Sequence, residues 1–373
     1  MIWNTGSQNM SAGNRRKDRR GFLLPVMPLC LSVCAAALMC GGCAQSGKEN
    51  ETPGSGEKLS VVTTIFPQYD FVREIAGEQV NLKMLLKPGE ETHSYEPTPQ
   101  DIIAIQECDV FIYVGGENDE WVEEILESMP DEGRKTLKLV DCVDTYEEEH
   151  VEGMKEERGR SHEEEEDTVH NETDDMAAED TIRSEDDGKA ETEELSVHQI
   201  DEHVWTSPQN AIQIVEAITG LLSQEDEANR EVYEANAKAY VEKLRELDEE
   251  FAEVVQGSQR NLLIFGDRFP FRYFAEAYGL DYYAAFPGCA SDTEPSAATM
   301  AFLINQVKEE EVPVILKMEL SNEDIAGAVA EATGTEVRTF YSCHNLSADE
   351  FENGETYLSL MEKNVETLRE ALN

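Results

Sequence analysis

The seven histidines are the side chains of this chain best suited to binding a transition metal, and they fall into two groups. His93, His203 and His344 lie in segments with strand and helix patterns. The other four lie in or beside one acidic stretch: His150, His162, His170 and His198. Neutral imidazole is a common ligand of Zn²⁺, and histidines scattered among carboxylates offer weak, exchangeable sites. We predict that the acidic stretch gathers metal; a solvated loop with incidental histidines is the alternative.

Two histidines of the first group lie in loops that precede helices. Residues 88–101 read Pro-Gly-Glu-Glu-Thr-His-Ser-Tyr-Glu-Pro-Thr-Pro-Gln-Asp and place His93 between a strand and a capped helix. Residues 201–208 read Asp-Glu-His-Val-Trp-Thr-Ser-Pro and place His203 just before another helix. The two motifs resemble the metal-binding signatures of solute-binding proteins of ABC-type zinc and manganese importers, His-x-Tyr-Glu-Pro-Thr-Pro and Asp-Pro-His-Val-Trp. In that family each of the two histidines supplies a metal ligand.

The resemblance covers about residues 58–373. Residues 114–121, Val-Gly-Gly-Glu-Asn-Asp-Glu-Trp, are similar to the family's Asn-Gly-x-Gly-x-Glu-x-Trp stretch. The acidic stretch falls between the two His motifs, where zinc-specific members of the family carry an acidic, His-bearing loop. The resemblance implies two Rossmann-like α/β lobes joined by one long rigid helix, with the metal bound in the cleft between the lobes.

The resemblance also implies two ligands from the second lobe. The family has His or Glu after the first strand of that lobe, whereas residues 265–274 read Phe-Gly-Asp-Arg-Phe-Pro-Phe-Arg-Tyr-Phe. Asp267 is our candidate there; strict counting places Arg268 at the position, and a guanidinium cannot ligate a metal. Asp267 could instead pair with Arg268 or Arg272, or cap the helix. After the last strand, where the family often has Asp, His344 is the natural substitute, unless it is a surface histidine.

The implied site is made of four nitrogen and oxygen ligands: His93, His203, Asp267 and His344. Cys343 is an alternative to His344, and Glu294 and Glu319 are nearby acidic alternatives. Four N/O ligands in a tetrahedron suit zinc, whereas manganese prefers more oxygen, so Zn²⁺ is the expected transported ligand and Mn²⁺ the alternative. The resemblance further implies a monomeric receptor that closes on the ion and delivers it to an ABC transporter permease.

The charge balance of the chain excludes some partners. With 30 Lys+Arg and 79 Asp+Glu, the formal net charge is 30 − 79 = −49, which argues against binding to nucleic acid or to an anionic membrane surface. Residues 147–194 hold 22 Asp+Glu and 5 Lys+Arg, or −17 of that total, with almost no aliphatic side chains. Such a composition predicts disorder. We therefore interpret 147–198 as an insertion into a folded body.

The first 43 residues have the pattern of an export signal. Arg15–Arg20 is basic, residues 21–39 are mostly apolar, and Gly41-Gly42 precede Cys43. This looks like a bacterial lipoprotein signal, which predicts lipidation of Cys43 and a location on the outer face of the cytoplasmic membrane. A plain secretory signal is the alternative, and Arg19-Arg20 also leaves a twin-arginine route open. Residues 44–57 would form a flexible tether.

Short apolar runs alternate with helical patterns from residue 59 onward, which predicts parallel sheets in two α/β lobes. The candidate strands are 60–66, 80–86, 109–114, 137–142, 262–265, 281–285, 312–318 and 336–341. Hydroxyl caps at Thr98 and Ser207, each followed by proline, mark two helix starts. We predict these parts: a first lobe (58–224), a linker helix (225–257) and a second lobe (258–373). The apolar stripe of the linker predicts packing against the lobes; a coiled-coil dimer seam is the alternative.

Four cysteines of the folded body could form disulfides after export. We predict the pairs Cys108–Cys142 and Cys289–Cys343, with free buried thiols as the alternative. Two other classes of function stay open. An exported zinc-dependent hydrolase is disfavoured because the sequence has neither His-Glu-x-x-His nor Gly-x-Ser-x-Gly, so we predict no enzymatic activity. A surface adhesin or metal store would use the acidic stretch as its working part.

Overall fold

Strands and helices alternate along the described chain. The structure, a computed structural model, describes residues 58–90, 95–116, 119–129, 133–154, 199–288, 290 and 294–373. The first part contains β1 (Ser60–Thr63), α1 (Phe66–Ala76), β2 (Asn81–Met84), α2 (Pro99–Glu107), β3 (Val110–Tyr113), α3 (Glu120–Ser128) and β4 (Lys135–Lys138). Two long helices follow, α4 (Pro208–Glu225) and α5 (Arg230–Gly257). The last part contains β5 (Leu262–Phe269), α6 (Arg272–Tyr278), β6 (Asp281–Pro287), α7 (Ala297–Glu309), β7 (Val314–Lys317), α8 (Asp324–Thr333), β8 (Glu336–Thr339), α9 (Ala348–Glu352) and α10 (Tyr357–Leu372).

The eight strands form two sheets of four parallel strands, in the orders β2-β1-β3-β4 and β6-β5-β7-β8. The predicted α/β class with parallel sheets is therefore confirmed, and every candidate strand is present. The fourth strand differs in its limits: it covers Lys135–Lys138, and residues Leu139–Cys142 form a 3₁₀ turn that buries Leu139 in the core. In parallel α/β sheets, ligands bind beyond the carboxyl ends of the strands.

The predicted helix starts are present, with one difference in capping. Thr98 Oγ1 accepts a hydrogen bond from the Asp101 N–H, and the Asp101 carboxylate accepts one from the Thr98 N–H, so α2 begins with a capping box. Helix α4 begins at Pro208 as expected, but Ser207 makes no side-chain cap bond. There, the fixed φ of proline at the first helical position marks the start.

Helix α5 lies at the centre of the described fold. It begins at Arg230 rather than near 225, because a turn over 226–229 intervenes, in which Asp226 accepts hydrogen bonds from Asn229 and from Tyr233. Its predicted apolar stripe is buried throughout: Tyr233, Ala237, Tyr240, Leu244, Leu247, Phe251 and Val254. Helices α1, α4 and α10 pack on α5, so neighbours within the same chain cover this stripe.

The predicted disulfides can be compared with the cysteines that the structure describes. All three of these are free thiols: Cys108, Cys142 and Cys343. The Cys108–Cys142 pairing is wrong for a geometric reason. Strands β3 and β4 run parallel with Val110 beside Lys135, so Cys108 precedes the start of one strand and Cys142 follows the end of the other. The two thiols therefore lie beyond opposite ends of these neighbouring strands. Cys289, the predicted partner of Cys343, lies outside the described residues.

The predicted export signal, the anchor Cys43 and the tether all lie outside the described residues. Among the helices that the structure does describe, none combines the length and the apolar character needed to span a bilayer. The lipid anchor therefore stays a prediction from the sequence.

Candidate metal site

His203 lies in a fully buried loop just before α4. The Asp201 carboxylate accepts a hydrogen bond from the His203 N–H at 2.9 Å and lies 3.0 Å from His203 Nδ1. Because a carboxylate only accepts, the ring proton belongs on Nδ1, which leaves Nε2 as the metal-binding nitrogen. Burial of the ring lowers the pKa of His203, but nearby carboxylates, Asp201 first among them, outweigh it and raise that pKa above its usual value.

His344 lies in the loop after β8 and is held through its main chain. The carboxylate of Glu319, just beyond β7, accepts hydrogen bonds from Ser342 N (2.7 Å), Ser342 Oγ (2.7 Å) and His344 N (3.2 Å). Cys343, between them, has a φ of 58°, a left-handed conformation that is uncommon for a residue with a side chain. Burial raises the pKa of Glu319 to about 7. The strained turn brings three donors onto one carboxylate.

The two imidazoles meet although they belong to loops that follow different sheets. Their ring centroids lie 5.2 Å apart at an interplanar angle of 87°. The indole of Trp205 packs on both rings, with centroids 5.0 Å from His344 and 5.6 Å from His203. Trp205 Nε1 also donates a hydrogen bond of 2.8 Å to the Ser342 carbonyl. The structure thus joins the His203 loop directly to the His344 loop.

A small cavity of about 20 Å³ adjoins His344. Its lining comes largely from residues just beyond β1, β2 and β3, the edge where parallel sheets bind ligands, and from the two histidine loops: Thr64, Ile65, Leu86, Tyr95, Val114, Asp119, Trp121, Glu202, Trp205 and His344. Asp119 Oδ2 accepts hydrogen bonds from Val114 N (2.8 Å) and Gly115 N (3.0 Å), and burial raises the pKa of Asp119 to about 6. The cavity therefore combines an imidazole with carboxylates.

The structure brings together only part of the predicted ligand set. His203 and His344 are in contact, and His93 lies outside the described residues. Among the described side chains, no three from His, Cys, Asp and Glu are grouped to hold a metal ion, so Asp267 does not complete such a group. Its two oxygens accept hydrogen bonds from Arg268 N, within β5, and from Met318 N, which connects β5 to the end of β7. Asp267 as a ligand stays a prediction.

The alternatives to His344 have other roles. Cys343 is fully buried in the apolar core, and burial raises the pKa of its thiol well above the usual value, which disfavours the thiolate that binds metals. Glu319 positions the loop that carries His344. Sequence reasoning missed the roles of Asp119 and Glu202 at the cavity. The sequence signals were the position of Asp119 within the 114–121 stretch and the adjacency of Glu202 to His203.

The described ends of the acidic insertion meet beside the His203 loop. Glu147 and Ile200 form an antiparallel bridge, Glu148 N donates to Gln199 O at 2.8 Å, and Asp201 N donates to the Tyr146 carbonyl at 3.0 Å. His150 is exposed on this stem. The other three histidines of the insertion lie outside the described residues: His162, His170 and His198.

Comparison with known proteins identifies the family. The profile of the ZnuA family, described as "Zinc-uptake complex component A periplasmic", matches residues 61–371, almost all of the described body. The chain belongs to the ZnuA family. Members of this family are metal-binding components of uptake systems, so membership argues for a binding protein and against the hydrolase alternative.

Individual relatives agree with this assignment. The chain is 31% identical to the zinc-binding lipoprotein AdcA of Streptococcus pneumoniae over 343 residues, which is 92% of this chain but 60% of that protein. It is 29% identical to the high-affinity zinc uptake system protein ZnuA of Bacillus subtilis, over 91% of this chain and 96% of that one. The crystal structure of the Zn(II)-bound ZnuA-like domain of the pneumococcal AdcA superposes with a TM-score of 0.63 at 28% identity, covering 85% of this chain and 99% of that domain.

Proposed function

We propose that this ZnuA-family chain is an extracytoplasmic receptor that captures zinc between the loops of its two sheets and delivers it to an ABC-type permease. The observation that carries the proposal is the contact between His203 and His344, one from each half of the fold. Buried imidazoles that meet across two lobes are poorly explained by packing alone, since each could be replaced by an apolar side chain. The zinc-binding relatives support the choice of metal.

The ion is the cargo of this site rather than a resident cofactor. His203 Nε2 and the ring of His344 supply nitrogen donors, and we assign His93 and Asp267 as the further ligands. Such a His₃Asp set favours zinc in tetrahedral coordination, and a manganese receptor of the same family is the alternative. Zinc binding must compete with protons for the imidazoles, so affinity should fall as the pH decreases.

Release follows from the division of the ligands between two lobes. The hydrogen bond from Trp205 to the Ser342 carbonyl joins the two histidine loops directly. Any motion that separates the lobes must break that bond and move the two imidazoles apart. The ion would then lose several ligands at the same time. We propose that docking on the permease promotes this separation.

The remaining elements of the proposal come from the sequence. Lipidation of Cys43 would hold the monomeric receptor at the outer face of the membrane, close to the permease. The acidic insertion would raise the local concentration of zinc through weak sites at its histidines. Both roles serve capture, and neither contributes a ligand to the tight site.

The test is a zinc and manganese titration of a soluble form that begins after Cys43, by competition with a chelator. We expect one tight zinc per chain, with affinity reduced more than 100-fold in His203→Ala and His344→Ala. His93→Ala tests the ligand outside the described residues. His150→Ala is the matched control, because it removes an exposed imidazole from the stem. A tight site that survives both His203→Ala and His344→Ala would overturn the proposal.

Delivery needs a separate experiment in cells. In a strain that lacks this receptor and grows under zinc limitation, the wild-type chain should restore zinc accumulation, whereas His203→Ala should not. The same strain without the permease should gain nothing from the wild-type chain. Restoration without the permease would support a metal store instead of a transport receptor.

A further inference from the structure

Asn345 joins the loop beyond β8 to a turn beyond β2, which belongs to the other sheet. Its side-chain Nδ2 donates hydrogen bonds of 2.9 Å to two main-chain carbonyls, those of Lys87 and Glu90. A third bond runs in the opposite direction, from Gly89 N to the Leu346 carbonyl at 2.8 Å. These three hydrogen bonds connect the two loops at one place, which we call the Asn345 clasp.

The Asn345 amide uses both of its ends in this contact. Its Oδ1 accepts a hydrogen bond of 2.9 Å from Leu346 N, so Nδ2 faces the turn and both of its N–H groups donate there. The residue is only 2% exposed. An apolar side chain of the same size would fill the space but would remove the donors from two carbonyls. The position therefore needs hydrogen-bond donors as well as bulk.

The turn that the clasp holds is tight. Pro88 and Gly89 occupy its corners, and Glu90 N donates to the Lys87 carbonyl at 3.1 Å. Gly89 has a φ of 84°, a left-handed conformation that favours glycine. Such a turn presents its carbonyls in a fixed direction, so the amide of Asn345 meets acceptors that are already in place.

The clasp lies beside the segments that carry two of the proposed ligands. Asn345 directly follows His344, and the turn ends three residues before His93, which lies outside the described residues. The bond from Trp205 to the Ser342 carbonyl is a separate connection between loops of the two sheets. Separation of these loops would therefore have to break the clasp in addition to that bond.

We propose that Asn345 is a positioning residue that holds the receptor closed on its ion and thereby sets the rate of zinc release. This role rests on the proposed function, because it assigns Asn345 to closure around the His203–His344 site. The bonds of the clasp exist only while the two loops meet, so their loss should speed opening without slowing the entry of zinc. Loss of two buried hydrogen bonds should accelerate release about 10- to 100-fold.

The test measures zinc release from the zinc-loaded parent, Asn345→Ala and Asn345→Leu after mixing with an excess of a coloured chelator. Leucine is close to asparagine in size but has no polar side-chain atom, so it keeps the bulk and removes the bonds. We expect both variants to release zinc at least about 10-fold faster, with an association rate that is unchanged or higher.

Asn236→Ala is the matched control. Its amide donates to the Ile75 carbonyl at 3.0 Å, which joins α5 to α1 instead of the histidine loops, so zinc release should stay within about twofold of the parent. Asn345→Leu with the release rate of the parent, even with a lower Tm, would assign Asn345 to the fold alone and overturn the proposal. The proposed function would then remain intact.

Gly89→Ala tests the clasp from the side of the turn. A Cβ atom at this position would meet no atom closer than 4.0 Å, so alanine fits, but it disfavours the φ that the turn requires. Zinc release should be faster than in the parent. Combining this change with Asn345→Leu should add little, because both changes break the same clasp. Effects that multiply in the double variant would overturn the proposal.

Hydrogen exchange of the metal-free proteins detects the clasp without zinc. The Gly89 N–H should be protected in the parent and should exchange about 10-fold faster in Asn345→Leu, while α5 keeps its protection. Equal exchange of this N–H in both proteins would overturn the clasp. A parent without a tight zinc site would instead overturn the proposed function and, with it, the role of Asn345 in zinc release.

Discussion

His203 and His344 meet in one site, but different atoms hold them. Asp201 contacts the His203 ring at Nδ1, so the carboxylate acts on the imidazole itself. Glu319 contacts the main chain on either side of Cys343 and orients His344 by shaping the loop. The first arrangement determines which ring nitrogen of His203 carries the proton, and it sets the basicity of this ligand. The second sets only its position.

One site can therefore separate chemical tuning from mechanical positioning. Changes at Asp201 should alter metal affinity more than stability, because the ring keeps its buried place. Changes at Glu319 should alter both, because three donors lose one acceptor group.

The largest effect is expected for Glu319→Ala. Ser342 N, Ser342 Oγ and His344 N would lose their acceptor in a buried loop, at a cost to the free energy of unfolding of about 3 kcal/mol or more. Urea unfolding of the metal-free protein measures the loss. Zinc affinity should also fall more than 100-fold, because the loop no longer holds His344.

Glu319→Gln is the control for this change. Its amide oxygen can still accept from Ser342 Oγ and His344 N, so stability and zinc affinity should lie between those of the parent and Glu319→Ala. If Glu319→Ala bound zinc within threefold of the parent, the position of His344 would not depend on this carboxylate.

The next effect is expected for Asp201→Ala, which removes the acceptor at His203 Nδ1. Loss of such a partner behind a ligating histidine typically weakens metal binding by about 10- to 100-fold. Asp201→Asn keeps an acceptor oxygen and should recover most of the affinity. Both are measured by chelator competition. Equal affinities for the parent and both variants would show that Asp201 does not tune the ring.

Asp70 is a buried carboxylate outside both histidine loops. It provides a reference for how the titration of a buried acid changes the free energy of unfolding. Burial raises the pKa of Asp70 from 3.8 to about 6, although Arg73 and the N–H of Tyr357 partly counteract it. The native state therefore holds this proton at pH values where the unfolded state has lost it. This contribution to the free energy of unfolding is fully present below the pKa that Asp70 has in the unfolded state. It is lost as the pH rises through the pKa that Asp70 has in the folded state.

For Asp70 this dependence amounts to about 1.5 kcal/mol between pH 5 and pH 8. Unfolding of the metal-free parent should show this decrease relative to Asp70→Asn, whose neutral amide does not titrate. Parallel pH profiles for the two proteins would contradict the assignment. The reference shows the net effect of the fold on the titration of a buried carboxylate in the absence of metal.

The smallest effect is expected from deletion of residues 155–198. The stem is retained, because the Glu147–Ile200 bridge lies beside Asp201. The affinity of the tight site should then stay within twofold of the parent, while the total zinc capacity falls as weak sites disappear. Unchanged capacity in equilibrium dialysis would show that the insertion does not gather metal.

The sequence predicted the strands and the main contact of the site well, for identifiable reasons. Apolar alternation and capping motifs are local signals, so all eight strands and the start of α2 were found. His203 was found because its motif resembles a family signature, and His344 because it follows the last strand, where the family has a ligand. The sequence offered Glu319 only as an alternative ligand. Its role in positioning the His344 loop depends on the left-handed conformation of Cys343 and on a hydrogen bond from His344 N, 25 residues away. Such conformations leave no periodic pattern in a single sequence.

Trp205 packs on both imidazoles, and Trp121 lines the same cavity. The chain has three tryptophans, and the third, Trp3, falls within the predicted export signal. In the mature protein, all indole emission would then originate beside the site. The receptor carries its own optical reporter, so occupancy, proton binding and separation of the loops can be followed in solution without an added dye.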